Sequence, residues 1–400
     1  MRHLLTVIVL GLVMSGAAGA SICVDCHSNV TPNIVSAWKL SKHFENDIDC
    51  STCHGAEHTT ADDVSEVRLP TPEVCAKCHE DKVVQFSKGK HAAAWQVTTA
   101  MPTGHALPMN MDGTMRGCEG CHQLGLKSKD DITKLRADGI MYGNASCDAC
   151  HTRHAFSATE ARQPQACETC HMGFDHAQWE MYSSSKHGVR YLLKQNGTMP
   201  ADASAPTCQT CHMQDGNHEV RTAWGFLGVR LPLPEDEQWH ADQLTIMQTL
   251  GLLDRNGNPT AKLDMVKAND VARLTQSQFD LSRNKMIAAC GQCHSESFAR
   301  DRLAKGDDMI REVDHLMAEA IRDVNGLYDD GVLPKPESFA FALARLSPIE
   351  LRLYDMHLQY RKLAFQGMFH ANPDYAFWHG WNEMVRGLAD IRSMEKELRK

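Results

Sequence analysis

The pentapeptide Cys-x-x-Cys-His occurs eight times in this chain and accounts for all of its cysteines. Each copy is the attachment signature of a c-type haem, in which two thioether bonds hold the porphyrin and the adjacent histidine binds the iron from the proximal side. Eight copies exclude zinc knuckles and redox pairs, because zinc sites need second ligand pairs at finger spacings and thioredoxin-like motifs do not occur in arrays. The sequence therefore predicts eight covalently attached haems c, each with one iron. The motifs are Cys23–Cys26–His27, Cys50–Cys53–His54, Cys75–Cys78–His79, Cys118–Cys121–His122, Cys147–Cys150–His151, Cys167–Cys170–His171, Cys208–Cys211–His212 and Cys290–Cys293–His294.

The first twenty residues have the pattern of a secretory signal peptide. Arg2 and His3 give a positive start, residues 4–14 are apolar, and Ala18-Gly19-Ala20 forms a small-residue cleavage site before Ser21. An uncleaved membrane anchor is the alternative, although the apolar run is short for a span. Because haem is attached to cysteine outside the cytoplasm, we expect cleavage and a periplasmic or secreted mature chain.

The density of motifs limits the kind of core that the chain can form. Seven motifs lie between residues 23 and 212, fewer than thirty residues for each haem. That is too little polypeptide to enclose every porphyrin separately, so we expect the haems to pack together and form much of the core. The formal net charge of −9 argues against nucleic acid as a partner.

The chain divides into two regions of different pattern. We predict a haem-packed body with seven haems at 21–233 and a helical domain with the eighth haem at 234–400. The fold class is mainly α, with long antiparallel C-terminal helices whose apolar stripes suit either a core or a subunit interface. The spacing of apolar residues predicts helices at 235–250, 262–289, 299–327, 347–369 and 375–400. Pro334 and Pro336 are expected to break the third of these helices.

Each bis-histidine haem needs a second, distal imidazole from elsewhere in the chain. The candidates among the motifs are His43, His58, His91, His105, His154, His176, His187 and His218. Two of them, His58 and His154, follow their own motifs too closely to reach the far side of the same haem, so we expect them and His218 to serve neighbouring haems. We expect surface positions or ordinary hydrogen bonds for the histidines of the tail, which are His240, His315, His357, His370 and His379.

His176 is the exceptional candidate, because Asp175 directly precedes it. A carboxylate beside an imidazole suits proton transfer near neutral pH. The same carboxylate could instead orient an ordinary iron ligand. If all eight candidates bind iron, the protein only carries electrons; if His176 does not, one iron keeps an open face.

The chain resembles the hydroxylamine oxidoreductase family of octahaem cytochromes c over essentially its whole mature length. The resemblance is strongest at 147–156 (CDACHTRHAF), 167–182 (CETCHMGFDHAQWEMY), 208–228 and 370–381 (HANPDYAFWHGW). It implies seven bis-histidine haems and one five-coordinate, catalytic haem. The last five haems also resemble those of pentahaem nitrite reductase, whose first haem is the active one, which places the catalytic haem on Cys118–Cys121–His122. The family's distal Asp-His pair falls on Asp175 and His176.

The resemblance also implies an oxidoreductase acting on a small nitrogen compound. Oxidising members link a tail tyrosine of one subunit to the catalytic haem of the next, for which Tyr375 is the candidate unless Phe377 occupies that position. Members without the link are associated with reduction of nitrite, so the direction is open. A homotrimer is implied, with a partner cytochrome or a quinol-linked membrane cytochrome exchanging electrons. The alternatives are an electron-transfer cytochrome without catalysis and a reductase of a sulfur oxyanion such as tetrathionate.

Overall fold

The computed structural model describes residues 17–100, 121–137, 146–221, 231–270, 273–335 and 346–400. These residues form helices and turns, and their only β pairing is an isolated bridge between Leu253 and Pro259. The mainly α fold class is therefore confirmed. Within these ranges no helix is both long enough and apolar enough to cross a bilayer.

Short helices and irregular turns make up the N-terminal body. Its α-helices are α1 (Ala17–Val30), α2 (Pro32–Lys39), α3 (Lys42–Glu45), α4 (Cys50–His54), α5 (Pro72–Lys88), α6 (Ala94–Ala100), α7 (Lys129–Ala137), α8 (Ala158–Ala161), α9 (Gln165–Glu168), α10 (Gln178–Ser183), α11 (Lys186–Gln195) and α12 (Cys208–His212). The 3-10 turns are Ala61–Glu66, His91–Ala93, Cys147–Ala149 and Gln214–Gly216.

Several motifs coincide with one turn of helix. In α4 the motif fills the whole element, and the Asp49 carboxylate caps it by accepting a hydrogen bond from the Thr52 backbone N–H at 3.0 Å. Residues three and four positions apart share one face of a helix. This geometry brings both thiols and the imidazole of a motif to one side, as attachment to a single porphyrin edge requires.

The C-terminal region consists of longer helices that pack on one another. These are α13 (Glu237–Thr249), α14 (Ala261–Ala268), α15 (Gln276–Gly291), α16 (Glu296–Asp329), α17 (Pro348–Asp355), α18 (Arg361–Phe369), α19 (Pro373–Tyr375) and α20 (Asn382–Leu398). Two π-helical segments, Met356–Tyr360 and Ala376–Trp381, join α17 to α18 and α19 to α20. The predicted helices at 235–250, 299–327, 347–369 and 375–400 are thus confirmed, the last two with π turns inside.

The helix predicted at 262–289 is wrong as one element. It is divided into α14, which ends at Ala268, and α15, which begins after the N-cap Thr275. Asp270 and Arg273 have positive φ angles of 51° and 57°, a left-handed conformation that stops a helix. Thr275 and Gln278 then form a capping box that starts the next one.

The two prolines are not what ends α16. This helix stops at Asp329, and Gly331 follows with a φ of +70°. The Gly331 N–H donates to the Tyr328 carbonyl at 3.2 Å and the Val332 N–H to the Leu327 carbonyl at 2.9 Å. This pair of bonds is a Schellman motif, which satisfies the last carbonyls with glycine in the left-handed region.

The main apolar core lies in the C-terminal region. It is built around the buried face of α16, with Ile310, Val313, Met317 and Ile321 essentially inaccessible, and it includes residues from 231 to 391. Among its described residues, the body has far fewer buried apolar side chains, which include Met181 and Tyr191. The division into domains at 233/234 stays a prediction.

Candidate active site

The histidine of every motif faces another histidine, and His171 has two at this spacing, His91 and His176. The two ring centroids are between 5.8 and 6.4 Å apart. Two imidazoles that bind one metal ion from opposite sides, each through a bond of about 2 Å, have ring centres roughly 6 Å apart. The spacing therefore fits one iron between the rings of each pair. The pairs are His27 with His58, His54 with His154, His79 with His43, His122 with His176, His151 with His218, His171 with His91, His212 with His370 and His294 with His187.

Hydrogen bonds at Nδ1 orient many of these rings. His27 pairs with Thr31 Oγ1 at 2.7 Å, His54 with the Arg68 carbonyl at 3.1 Å, and His218 with the Gly216 carbonyl at 2.9 Å. An Nδ1 that is bonded in this way leaves Nε2 for a metal, the usual arrangement of a metal-binding histidine.

Burial favours the neutral, iron-binding form of the most deeply buried of these imidazoles. It lowers the pKa of His212 to about 4 and that of His171 to about 3, with further lowering from neighbouring histidines. The pKa of His91 is lowered by burial as well. Neutral imidazole is the protonation state that metal coordination requires.

His370 was not among the candidate ligands, yet its ring faces that of His212. It has the ordinary hydrogen bond expected of it, with Nδ1 on the Gln366 carbonyl at 2.7 Å. His105, which was a candidate, lies outside the described residues. Each motif histidine faces another histidine even though His105 is left out. The set of facing histidines therefore differs from the predicted set of distal ligands, because it contains His370 and not His105. In the sequence, the only sign that His370 could be a ligand was that the chain has more histidines than its haems need.

The other tail histidines differ among themselves. His240 meets the Pro234 carbonyl at 3.2 Å and His315 the Asp242 carboxylate at 2.9 Å, while His379 is exposed. These three fit the expectation of surface positions or ordinary hydrogen bonds. His357 does not fit it, because the ring is buried and neither nitrogen has a hydrogen-bond partner among the described residues.

Thiols of different motifs also lie side by side. Hydrogen-bonding contacts join Cys75 to Cys147 and Cys121 to Cys170. Another joins Cys167 to Cys208. The third motif is thus next to the fifth, and the fourth next to the sixth, so the attachment sites crowd together as the density of motifs predicts.

Asp175 and His176 lie opposite the fourth motif. The ring of His176 is 5.8 Å from that of His122 and 6.3 Å from that of His171. Its Nδ1 bonds Asp175 Oδ1 at 2.7 Å, and both side chains are mostly buried. Cys118 of this motif lies outside the described residues, whereas Cys121 and His122 lie within them.

Charged groups set the electrostatics of this site. Burial raises the pKa of the Asp175 carboxyl, but the hydrogen bond and charge of His176 and the charge of Lys362 outweigh it, so the pKa lies below its usual value. Burial lowers the pKa of His122 to about 4. The charges of His176 and Lys362 lower it further, whereas the charge of Asp175 raises it. The site therefore holds a carboxylate and an uncharged motif histidine.

Helix α18 closes the site from the tail. Gln178, which follows the dyad by two residues, donates from Nε2 to Gln366 Oε1 of α18 at 2.8 Å. Leu363 packs against Ala177 and Met181. Lys362 lies in the same helix with no exposed surface. Sequence reasoning missed this lysine, because a basic pair such as Arg361-Lys362 in an amphipathic helix usually belongs to a solvated face.

Tyr375 packs beside the dyad in its own chain. It contacts the cluster of Ala177, Met181 and Leu363, and its backbone N–H donates to Asn372 Oδ1 at 3.2 Å. Burial raises the pKa of its phenol. Phe377 is 42% exposed and stacks on Trp381 at 5.1 Å. The link of Tyr375 to a neighbouring subunit stays a prediction.

Two family models match the chain. The one described as seven times multi-haem cytochrome CxxCH matches residues 46–230 and 261–338. The one described as cytochrome c554 and c-prime matches residues 13–55.

Relatives and solved structures agree with these matches. The probable nitrite reductase-hydroxylamine oxidoreductase fusion protein of Kuenenia stuttgartiensis is 26% identical over 94% of this chain and 51% of its own length. The chain thus spans about half the length of that relative. A chain of the Kuenenia stuttgartiensis reducing HAO-like protein complex has a TM-score of 0.67 at 23% identity, covering 95% of this chain and 85% of that one. A hypothetical multiheme protein has a TM-score of 0.70 at 20% identity, covering 96% of each. At such identities the two structures establish the fold alone.

Proposed function

Because the chain belongs to the family of multihaem cytochromes with Cys-x-x-Cys-His motifs, we propose that it is an octahaem oxidoreductase that interconverts hydroxylamine and more oxidised nitrogen species at one haem. Its resemblance to hydroxylamine oxidoreductase-like cytochromes is supported by the probable nitrite reductase-hydroxylamine oxidoreductase fusion protein among its relatives. Haem attached through Cys-x-x-Cys-His is a property of the family. The number of eight haems, the iron with one open face and the nitrogen-compound substrate are our proposal.

One observation carries the proposal. The site opposite His122 contains a carboxylate, an imidazole and a buried lysine that come from two separate segments. A distal ligand needs a hydrogen bond to fix its ring, but it does not need two charges of opposite sign around it. Groups that hold protons and charge beside a metal are typical of catalysis.

The residues would divide the work as follows. His122 would hold the iron from the proximal side, and the haem would supply a metal that binds the nitrogen compound and exchanges electrons with it. His176 would hold or give up a proton at Nε2, while Asp175 keeps Nδ1 protonated and the ring in place. Helix α18 would exclude bulk water, which strengthens these electrostatic interactions.

The remaining motifs would carry electrons. Contacts between Cys121 and Cys170, and between Cys167 and Cys208, make the fourth, sixth and seventh attachment sites neighbours. Seven histidine pairs would cap both sides of the other irons. We further propose a periplasmic location after signal cleavage, assembly as a homotrimer, and a partner cytochrome or quinol-linked membrane cytochrome.

A second function, electron transfer without catalysis, is favoured by a specific distance. The centroids of His122 and His176 are 5.8 Å apart, within the spacing of iron-bridged pairs. In that case His176 would be an eighth distal ligand and every haem would be low-spin.

Spin state and a His176→Ala variant separate the two functions. The enzyme predicts about one high-spin haem in eight in the optical and EPR spectra, together with binding of hydroxylamine or nitrite. The variant should then lose at least about 100-fold in turnover, the usual contribution of a general acid or base, with unchanged low-spin content. Uniformly low-spin haem in the wild type and a new high-spin haem in the variant would contradict the enzyme. His240→Ala, which removes a tail histidine that meets the Pro234 carbonyl and faces no motif histidine among the described residues, is the control.

A further inference from the structure

We propose that Asp63 is a positioning residue that lowers the reduction potential of the first haem, the one attached at Cys23–Cys26–His27. It would do so by placing a carboxylate on His58, the ring that faces His27. This inference goes beyond the proposed function, because it rests on haem attachment at the first two motifs and not on the open iron or the substrate.

The hydrogen bond between His58 and Asp63 leaves the other ring nitrogen for iron. His58 Nδ1 lies 2.7 Å from Asp63 Oδ1, and the ring centroids of His58 and His27 are 6.1 Å apart. Because an ionised carboxylate only accepts hydrogen bonds, Nδ1 is the donor and Nε2 carries the free lone pair. The residues present therefore fit an iron that His27 and His58 would bind from opposite sides.

Four further hydrogen bonds fix the Asp63 carboxylate beside this ring. Its Oδ1 accepts from the backbone N–H groups of Thr59 at 3.1 Å and Thr60 at 3.0 Å. Its Oδ2 accepts from the backbone N–H of Thr59 at 3.1 Å and from Thr59 Oγ1 at 3.0 Å. Hydrogen bonds to a carboxylate stabilise its charged form, so the negative charge is held at a defined position next to His58.

Other paired histidines have uncharged acceptors at Nδ1. His54 meets the Arg68 carbonyl at 3.1 Å, and His218 meets the Gly216 carbonyl at 2.9 Å. A carboxylate attracts the Nδ1 proton more strongly than a carbonyl does, which makes Nε2 more electron-rich and a stronger ligand. Ferric iron gains more from such a ligand than ferrous iron, because it carries one more positive charge. The hydrogen bond therefore opposes one-electron reduction and lowers the potential.

The position of His58 in the chain makes the first two haems neighbours. His58 follows His54, the histidine of the second motif, by four residues, yet its ring faces the first motif. Cys26 of the first motif is exposed, which gives a redox partner access to this end of the array. An electron that a partner cytochrome gives to the first haem is then favoured to move to the second. The first iron returns to the ferric state and the second becomes ferrous, with no bond made or broken.

A potentiometric titration of the holoprotein, followed by EPR, tests this inference without relying on turnover. His58→Ala identifies the signal of the first haem, which should become high-spin in that variant. Asp63→Asn keeps the size and one acceptor oxygen but removes the charge, so we expect reduction of this haem to become about tenfold more favourable, a rise of about 59 mV. Asp63→Glu keeps the charge and suits the capping box of the turn Ala61–Glu66, so it should retain most of the wild-type potential. Asp62→Asn, which removes an exposed carboxylate of the same turn, is the control and should change that equilibrium less than about twofold.

The possible outcomes are distinct. An unchanged potential in Asp63→Asn would overturn the inference and leave Asp63 as a cap of its turn, and so would equal shifts in Asp63→Asn and Asp62→Asn. A new high-spin haem in Asp63→Asn would mean that the carboxylate only holds the ligand in place, which also overturns it. If His58→Ala produced no high-spin haem, the pairing with His27 and the inference would both be wrong. A wild type with uniformly low-spin haem would contradict the proposed enzyme but leave this inference intact.

Discussion

His370 and His105 are two histidines that local sequence does not distinguish as ligands. The ring of His370 lies 6.4 Å from that of His212, and its Nδ1 is held by the Gln366 carbonyl. Which histidine completes a haem depends on which segment the tertiary fold brings to the far side, and α18 approaches the body at this point. The distal ligand is therefore determined by tertiary packing and not by the sequence around the motif.

A pair of alanine substitutions tests this choice. We expect His370→Ala to add one high-spin haem among the eight, because the iron held by His212 would lose its distal ligand. His105→Ala, the matched control, should leave the number of low-spin haems unchanged. EPR of the oxidised protein reads both. If His105→Ala produced the new high-spin haem and His370→Ala did not, the pairing with His212 would be incorrect.

The tail helices approach one another closely at glycines. A Cβ at Gly380 would lie 2.2 Å from the Ala364 backbone nitrogen, and one at Gly306 would lie 2.1 Å from Phe369. Gly380 belongs to the π-helical segment Ala376–Trp381, which faces α18. The helix that carries Lys362 is thus held by a backbone contact that no larger residue permits.

Gly380→Ala should therefore destabilise the tail by about 1–3 kcal/mol, the usual cost of overpacking a core. Gly326→Ala is the matched control, because its Cβ would meet only the end of the Arg399 side chain at 3.4 Å. Removing a glycine from inside α16 should stabilise by about 0.5–1 kcal/mol. Denaturant unfolding of the tail, followed by circular dichroism, compares the two. Equal stability of both variants would show that the close approach is unimportant.

The helices show what sequence patterns could predict and where they failed. Apolar periodicity identified the buried face of α16, because Val313, Met317 and Ile321 recur at helical spacing. The same periodicity predicted one helix at 262–289 and did not detect the break after Ala268. The left-handed φ angles of Asp270 and Arg273 cannot be recognised from the spacing of apolar residues. The capping box at Thr275 and Gln278 was a readable signal of a new helix start. The burial of Lys362 was not predictable, since it depends on how two distant segments pack.

At the scale of the whole molecule, the two regions are stabilised by different means. Buried apolar side chains form one large cluster in the tail, which includes Phe365 and Met384 beside the buried face of α16. The part of the body that the structure describes has few such residues. Its motifs instead bring cysteines of different motifs into contact, as at Cys75 and Cys147. The attached porphyrins would then provide most of the apolar surface that the body buries.

Production of the mature chain without haem attachment tests this difference. The apoprotein should be cleaved rapidly within residues 21–221, because its side chains bury too little apolar surface to offset the conformational entropy of ordering the chain. Peptides from α16 and α18 should persist longer, since their core is made of protein side chains. Limited proteolysis with mass spectrometry measures both rates, and the holoprotein under the same protease is the control. We expect cleavage of the body to be at least about tenfold faster in the apoprotein, corresponding to a loss of about 1.4 kcal/mol or more. A body as resistant without haem as with it would mean that its stability comes from the polypeptide.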